Sequence, residues 1–382
     1  MHVLFIPKWY PGRRDPQIGD FFRKQALAVA RKATVSVLHV TQEQEPGQHV
    51  EHHDGVWELH TSYAGSTTGN QLMRRARNYA GYRIAATLGW EKIVKERGMP
   101  DIVHAHVLAR PAYLAWWIKR KFGLPFVLSE HSSVFLDGRY QQRSLAYKRW
   151  VEFLCSQAAM VTAVSPHLGA AMVQHGLVER YEMVPNIIPA LERPLPRAGD
   201  RNRFLMVADL VDATKNISGA IKAFKQAKEV IPELRLDIIG GGPDRDPLEG
   251  LVEQLGLGEK VHFLGQMPNH AVLDHMASIG SVIVNSNFET FSIVTGEALA
   301  LGKPVIATRC GGPETFLNDT NGVLINIGDD KALAAAILHV HRHHHLYVPA
   351  HLRSSVGDHC GSEAVGEKLI GLYQRVLANG RS

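Results

Sequence analysis

The chain has 382 residues, 45% of them apolar and 21% charged, with a formal net charge of +5; such a composition excludes a disordered, collagen-like or low-complexity protein and suits a globular one. No apolar stretch reaches the roughly 18 residues a membrane-spanning helix needs, and Cys155, Cys310 and Cys360, an odd number at long spacing without a CxxC pair, fit a reducing cytoplasm better than a disulfide framework. The charge is uneven: residues 1–200 hold 25 Lys and Arg against 17 Asp and Glu, and residues 201–382 hold 17 against 20.

The N-terminal run MHVLFI, ending in a Trp-Tyr-Pro-Gly turn, lacks the charged start and cleavage site of a secretory signal and is expected to be a first strand. Short apolar runs rich in Val and Ile follow at intervals: TVSVLHV (34–40), DIVHAHV (101–107), FVLSE (126–130) and MVTAVS (160–165). Segments with helical spacing separate them. Continuous apolar strands alternating with helices predict a parallel sheet covered on both faces. A second series runs RFLMVADL (203–210), LRLDIIG (234–240), KVHFLG (260–265), SVIVNS (281–286), PVIAT (304–308) and GVLINI (322–327). Between the two series, IIPALERPLPRAGDRNR (187–203) has three prolines and no regular period, as a linker would. The expected organisation is an N-terminal Rossmann-like domain over 1–190, a linker over 191–202, a second Rossmann-like domain over 203–361, and a helix over 362–382 packing back toward the first domain. Two doubly wound domains facing each other across a cleft would bind ligands at the C-terminal edges of their sheets.

The basic half concentrates its charge in Arg74, Arg75, Arg77, Arg83, Lys92, Lys95 and Arg97, and places Trp116 and Trp117 beside Lys119, Arg120 and Lys121. These are either solvated helix faces or a surface that docks on an anionic membrane. The basic residues are diffuse and not interleaved with an aromatic platform, which argues against nucleic acid as a partner. Gly19, in QIGDFF, is expected where the first strand-to-helix loop approaches the donor or acceptor closely, since a side chain there would collide.

The stretch ETFSIVTGEALALGKP (289–304) carries two acids. It predicts a helix with Ser292 as N-cap, Gly302 as its stop and Pro304 beyond. Glu289 then lies on the preceding loop and Glu297 about one turn inside. The amides of Phe291, Ser292, Ile293 and Val294 at that helix start form an anion site suited to a diphosphate, while the acids would accept hydrogen bonds from hydroxyls. GGGP (240–243) is a glycine-rich turn that does not satisfy GxGxxG, against a dinucleotide oxidoreductase. Asp244 and Asp246 precede a helix and are read as capping acids. The run HVHRHHH (339–345) lacks metal-ligand spacing. His104 and His106 share one strand face and are expected in core or hydrogen-bonding roles.

The pattern Glu-x7-Glu, followed by GKPVIAT, GGPET (311–315) and NGVLI (321–325), resembles the retaining nucleotide-sugar glycosyltransferases called family 4, of GT-B fold. WYPGRRDPQIGDFFRKQALAVA (9–30), DIVHAHV, LPFVLSEHS (124–132), TAVSPHL (162–168), MVPNIIP (183–189), IIGGGPDRDPLEGL (238–251) and VHFLGQM (261–267) extend the likeness over nearly the whole chain. The resemblance implies that Glu289 lies against the donor sugar, that Glu297 binds the ribose, that Lys215 faces the diphosphate and that His131 lies near donor sugar and acceptor. Thr290, Phe291, Ser292, Ile293, Gly19, Gly240, Gly242 and Gln266 would complete the donor site. It further implies transfer of a sugar from a nucleotide-diphosphate sugar to a saccharide or lipid-linked acceptor hydroxyl, with retention, no metal and no cofactor, in bacterial polysaccharide or glycolipid assembly in the cytoplasm or on the inner membrane face. Where family members usually carry an Arg before the lysine, this sequence has Asp209. Arg13 or Arg14 could then supply the cation, or the protein could be a nucleotide-sugar-binding member with little or no activity. An epimerase of similar fold is a further alternative.

Overall fold

The computed structural model describes residues 1–13 and 15–380. The chain divides into two units: residues 1–185 with the C-terminal segment from Ser362, and residues 186–361.

Unit 1 is built on an eight-stranded sheet of β1 (His2–Pro7), β2 (Thr34–Glu43), β3 (Gly47–His53), β4 (Val56–Ala64), β5 (Ile102–His106), β6 (Phe126–Glu130), β7 (Met160–Ala163) and β8 (Glu182–Met183). Its spatial order is β3-β4-β2-β1-β5-β6-β7-β8. Every pairing is parallel except β3 with β4. Its helices are α1 (Asp20–Ala30), α2 (Gln71–Arg97), α3 (Arg110–Phe122), α4 (Leu145–Gln157) and α5 (Pro166–Gln174). The central strands β1, β5 and β6 are buried along their whole length, as strands covered on both faces must be. Local chemistry sets the helix ends. Asn70, Ser144 and Ser165 accept the amides of Met73, Tyr147 and Leu168, and Gly123 closes α3 in the left-handed conformation at φ 77°.

Unit 2 carries a six-stranded, all-parallel sheet of β9 (Asp200–Val207), β10 (Arg235–Ile239), β11 (Val261–Gly265), β12 (Ile279–Val284), β13 (Val305–Thr308) and β14 (Gly322–Ile325), in the order β11-β10-β9-β12-β13-β14. Its helices are α6 (Asp212–Lys215), α7 (Ile217–Val230), α8 (Arg245–Gln254), α9 (Asn269–Ser278), α10 (Ile293–Ala300), α11 (Asp330–Arg342) and α12 (Pro349–Val356). Phe204, Met206, Leu236 and Ile238 from the strands meet Ile221, Phe224 and Ile337 from the helices in a fully buried core. The two parallel α/β sheets are those the strand series predicted. The final helix, α13 (Ser362–Asn379), belongs to unit 1. There Gly366 sits so close to α1 that a Cβ would lie 2.8 Å from the Ala28 carbonyl oxygen, and the Tyr373 hydroxyl meets His104 Nδ1 at 2.6 Å.

Two features depart from the expectations. The segment expected as a linker, 191–202, is structured at both ends: a 3-10 turn covers Pro189–Glu192 and β9 starts at Asp200. Arg353 fastens the middle by donating to the Leu191 and Arg193 carbonyls. The β3–β4 pair was not foreseen, although its turn is Asp54-Gly55, with φ of 43° and 87°; this dipeptide is the strongest short hairpin signal a sequence carries.

Candidate active site

In unit 2, the C-terminal ends of β9, β12 and β13 gather the residues the sequence singled out. Lys215 ends the short helix α6, and its Nζ lies 2.7 Å from Glu289 Oε1. Ser286, two residues beyond β12, donates its hydroxyl to the same oxygen at 2.8 Å. The Glu289 backbone is fixed by the loop after β13. Its amide donates to the Cys310 carbonyl and its carbonyl accepts from Gly312 N, at 3.2 and 2.9 Å. Gly312 is required there because a Cβ would stand 2.8 Å from both Glu289 Cβ and the Phe291 carbonyl carbon. Glu314 holds this loop through the Gly311 amide at 2.6 Å. The GGPET stretch is therefore a brace for Glu289, a role its spacing alone does not reveal.

Burial opposes the charge on Lys215, but the adjacent Glu289 carboxylate outweighs it and holds the ammonium above its ordinary range, with a smaller contribution from Asp209. Lys215 is therefore a cation throughout the neutral range. Asp209 itself is exposed. The position where the resemblance implies an Arg thus adds a negative charge near Lys215. Of the cations considered as substitutes, Arg13 is a largely exposed partner of Glu51 at 3.7 Å, and Arg14 lies outside the described residues.

The helix carrying Glu297 begins at Ile293 and ends at Ala300, with Gly302 beyond it at φ 69°. Its first internal bond runs from Gly296 N to the Ser292 carbonyl at 3.3 Å, so the amides of the preceding turn point out of the helix start. Ser292 occupies the N-cap position, but its side chain does not cap. It adopts a left-handed φ of 64° and its hydroxyl meets Thr295 Oγ1 at 2.7 Å. The expected capping bond is therefore absent, and a non-glycine residue in this conformation stores strain at the helix entrance. Phe291 is buried edge-on against Phe316, with ring centroids 5.1 Å apart, which pins the entrance from below. Thr290 and Ile293 flank it and are partly exposed. Glu297 is 2% exposed, and its Oε1 accepts from Asn269 Nδ2 at 2.8 Å.

The glycine-rich turn lies at the same sheet edge. A Cβ on Gly240 would approach the Ala208 carbonyl oxygen to 1.8 Å, and one on Gly242 the Leu210 carbonyl oxygen to 2.5 Å; both glycines let the loops after β9 and β10 touch. Gln266, one residue past β11, is exposed. Asp244 was expected to cap α8 and its side chain does not; its Oδ2 accepts from Asp212 N at 2.7 Å, across to the first residue of α6. It thereby ties the turn to the element that ends in Lys215.

In unit 1, His131 is the first residue beyond β6. It is buried between the Phe21 and Phe22 rings, at 5.4 and 4.6 Å, and neither ring nitrogen has a hydrogen-bond partner among the described residues. Burial pushes its pKa down to about 3, so it is a neutral imidazole at pH 7. A neutral imidazole in that place can donate or accept a hydrogen bond. Glu130 next to it was missed from the sequence. Its Oε1 accepts the amides of His131 and Ser132 at 2.8 and 2.7 Å, and its Oε2 accepts that of Leu108 at 2.9 Å, so one carboxylate joins the loops after β5 and β6. His104 and His106 lie in the core as expected; His104 bonds Tyr373 and Ser129. Gly19 has φ 69°, and the obstruction a side chain would meet is the chain itself, with the Trp9 carbonyl oxygen 2.5 Å from an added Cβ. On the β3–β4 hairpin, His49, Glu51 and His60 offer ligand atoms within 4.8 Å of one another, but Arg23 already pairs with Glu51 and Glu58 at 3.9 and 2.7 Å.

Two doubly wound, mainly parallel sheets, one carrying a lysine–glutamate pair beside a helix start, are the architecture of GT-B glycosyltransferases. The description "Glycosyl transferases group 1" matches residues 188–346, and "Glycosyl transferase 4-like domain" matches residues 20–187. The chain belongs to the group 1 glycosyltransferases. It is 28% identical over 183 residues to the lipopolysaccharide core biosynthesis glycosyltransferase LpsD of Rhizobium meliloti, a match covering 46% of this chain and 52% of LpsD, so that it spans about half of that relative. It is 23% identical over 321 residues to the N-acetyl-alpha-D-glucosaminyl L-malate synthase of Bacillus anthracis, covering 80% and 82% of the two chains. Among solved structures, Anabaena Alr3699/HepE in complex with UDP and glucose superposes with a TM-score of 0.73 at 17% identity, over 98% of this chain and all of the other.

Proposed function

We propose that the protein moves a sugar from a nucleoside-diphosphate sugar to an acceptor hydroxyl with retention at the anomeric carbon, in the assembly of a bacterial envelope polysaccharide or glycolipid. The observation that carries this reading is the Lys215–Glu289 pair set at the entrance of α10, with Glu297 buried one turn further on. The donor's diphosphate rests on the α10 amides. Lys215 exchanges its carboxylate partner for the phosphate as the sugar–phosphate bond breaks and negative charge builds on the leaving oxygen. Glu289, Ser286 and the braced loop at 310–314 orient the sugar, and Glu297 accepts from the ribose hydroxyls. The acceptor oxygen bonds to the anomeric carbon on the face the phosphate leaves, and its proton passes to the departing phosphate oxygen. His131 donates or accepts a hydrogen bond in neutral form. Because Lys215 and the helix amides already meet the developing charge, no metal is needed. The UDP and glucose held by the Anabaena structure support a uridine nucleotide as a first donor to test.

The test is turnover of a panel of nucleotide sugars in the presence of chelator, with the product's anomeric configuration read by NMR. Transfer with retention is expected; inversion, or strict dependence on added divalent metal, would contradict the mechanism. Asp209 favours a second reading, in which the site binds nucleotide without transfer; tight nucleotide binding with no product across the panel would select it.

We also propose that unit 1 docks on an anionic membrane surface. No described helix is long and apolar enough to cross a membrane. The start of α2, however, exposes Leu72 (75%) and Ile84 (63%) among Arg74, Arg75, Arg77 and Arg83, with no acid between Gln71 and Trp90. A continuous aromatic strip leads from it across three helices: Tyr79 to Tyr113 at 5.3 Å, Tyr113 to Trp150 at 6.4 Å and Trp150 stacked on Phe153 at 5.6 Å. Exposed apolar and aromatic side chains interleaved with arginine match a lipid interface. Sedimentation with phosphatidylglycerol vesicles is expected, with loss of binding on phosphatidylcholine alone and in a triple Arg74, Arg75, Arg77→Glu variant. Equal binding by that variant would remove the proposal.

A further inference from the structure

Unit 1 contains a hollow of about 290 Å³ that the donor chemistry above does not use. It is lined by Lys8 and Trp9, just past β1; by Thr41 and Gln42, near the end of β2; by Tyr82 of α2; and by Arg110, the first residue of α3. Parallel strands place their C-terminal ends on one edge of the sheet, so the hollow opens on the edge that also carries Gly19 and His131. Its wall has two cations and no acid among the described residues.

The cations are held there by built features. Arg110 donates to the Tyr63 hydroxyl and lies over the Tyr63 and Tyr82 rings, 5.6 and 5.2 Å from their centroids. The segment that delivers it is strained, since Val107 and Ala109 adopt φ of 74° and 100°. Val107 is β-branched, a residue type for which this region is particularly costly. The strain is fixed from beneath by the bond from Leu108 N to the Glu130 carboxylate and that from Val107 N to the Ser129 carbonyl at 2.7 Å. Lys8 lies over the Trp9 ring at 4.5 Å. Burial lowers its pKa, and Arg139, Arg110 and Arg143 lower it further against the opposing pull of Glu130. Cations are thus concentrated at the hollow against their mutual repulsion, and a planar guanidinium is preset for bidentate recognition of a carboxylate or phosphate.

We propose that this hollow binds an anionic substituent, a carboxylate or a phosphate, on the acceptor, with Arg110 making the planar contact and Lys8 the second. The acceptor class is then an acidic or phosphorylated saccharide, not a neutral one; this rests on the reading of the chain as a transferase whose acceptor meets unit 1.

The experiment is calorimetric titration of the full chain with glucose, glucuronate and glucose 6-phosphate, repeated on Arg110→Gln, Lys8→Gln and Lys215→Gln, each also titrated with UDP. At least one anionic sugar is expected to bind tenfold or more tighter than glucose. Arg110→Gln should weaken that binding about ten- to a hundredfold, the scale of a charge-assisted hydrogen-bond pair. Lys215→Gln should leave it unchanged. Lys8→Gln is expected to weaken it as well and serves if Arg110→Gln does not fold, since the Lys8 side chain reaches solvent and is only partly desolvated at the hollow. Glucuronate and glucose 6-phosphate separate a carboxylate from a phosphate site. Anionic sugars that bind no tighter than glucose, or whose affinity survives both Arg110→Gln and Lys8→Gln, would overturn the assignment even if UDP binds. Intact anion binding with no nucleotide binding would instead uphold the hollow and remove the donor reading.

Discussion

Lys215 and Glu289 form an ion pair across 2.7 Å, and the carboxylate holds the ammonium in place and above its ordinary range. In the mechanism proposed above, removing either leaves the departing phosphate without an oriented cation. Lys215→Ala or Glu289→Ala is expected to lower turnover about a hundredfold or more, the scale of deleting one transition-state stabiliser. The double variant should lose little beyond the worse single variant, because groups acting as a unit are not additive. Full activity in both single variants, measured at saturating donor, would exclude them from the chemistry. The family resemblance singled out both residues, but that they would pair was not read from the sequence; it follows from β9 and β12 being parallel neighbours, so that the loops after them converge. The Glu130 clamp was not legible, because a carboxylate that binds only backbone amides leaves no partner motif in the sequence.

Strands β5 and β6, with the loop that follows β6, carry His104, His106 and His131 into a common interior, the first two with ring centroids 3.9 Å apart. Burial pushes His104 and His131 down to about 3 and His106 well below its usual range. The unfolded chain titrates these groups near 6.5. Below that pH it takes up protons the folded chain does not, so stability is complete above about pH 6.5 and falls as pH drops toward 3. The limiting slope is about 1.4 kcal/mol per pH unit for each histidine. Denaturant unfolding between pH 7 and 5 should show this loss, and His106→Leu, at a side chain without hydrogen-bond partners among the described residues, should reduce the slope by up to one histidine's share. An unchanged slope would mean His106 is protonated in the folded state. Elements of this kind were readable as strands from their apolar runs. The β3–β4 hairpin escaped because GQHVEHH is polar and histidine-rich, although Asp54-Gly55 marked its turn. Ser292 takes the N-cap position as expected, but its missing capping bond was not legible, because a capping serine and a strained serine at a helix entrance share one sequence signature.

At the scale of the whole molecule, two parallel sheets were predictable from two series of Val- and Ile-rich runs. The boundaries between units were less so: prolines at 189, 194 and 196 signal irregular backbone, but not that Arg353 and a 3-10 turn would order it. Unit 2 presents cation, helix entrance and buried acid together, while unit 1 presents a neutral imidazole and a cationic hollow, a division that suits a nucleotide on the second and an acceptor on the first. The most direct measurement is isothermal titration of the protein with UDP, GDP, ADP and dTDP, repeated on Lys215→Ala and Glu297→Ala. Binding of at least one nucleoside diphosphate, weakened about tenfold or more by each substitution in a folded variant, is the expected result. No binding of any of the four, or affinities that neither substitution changes, would contradict a nucleotide site at the entrance of α10.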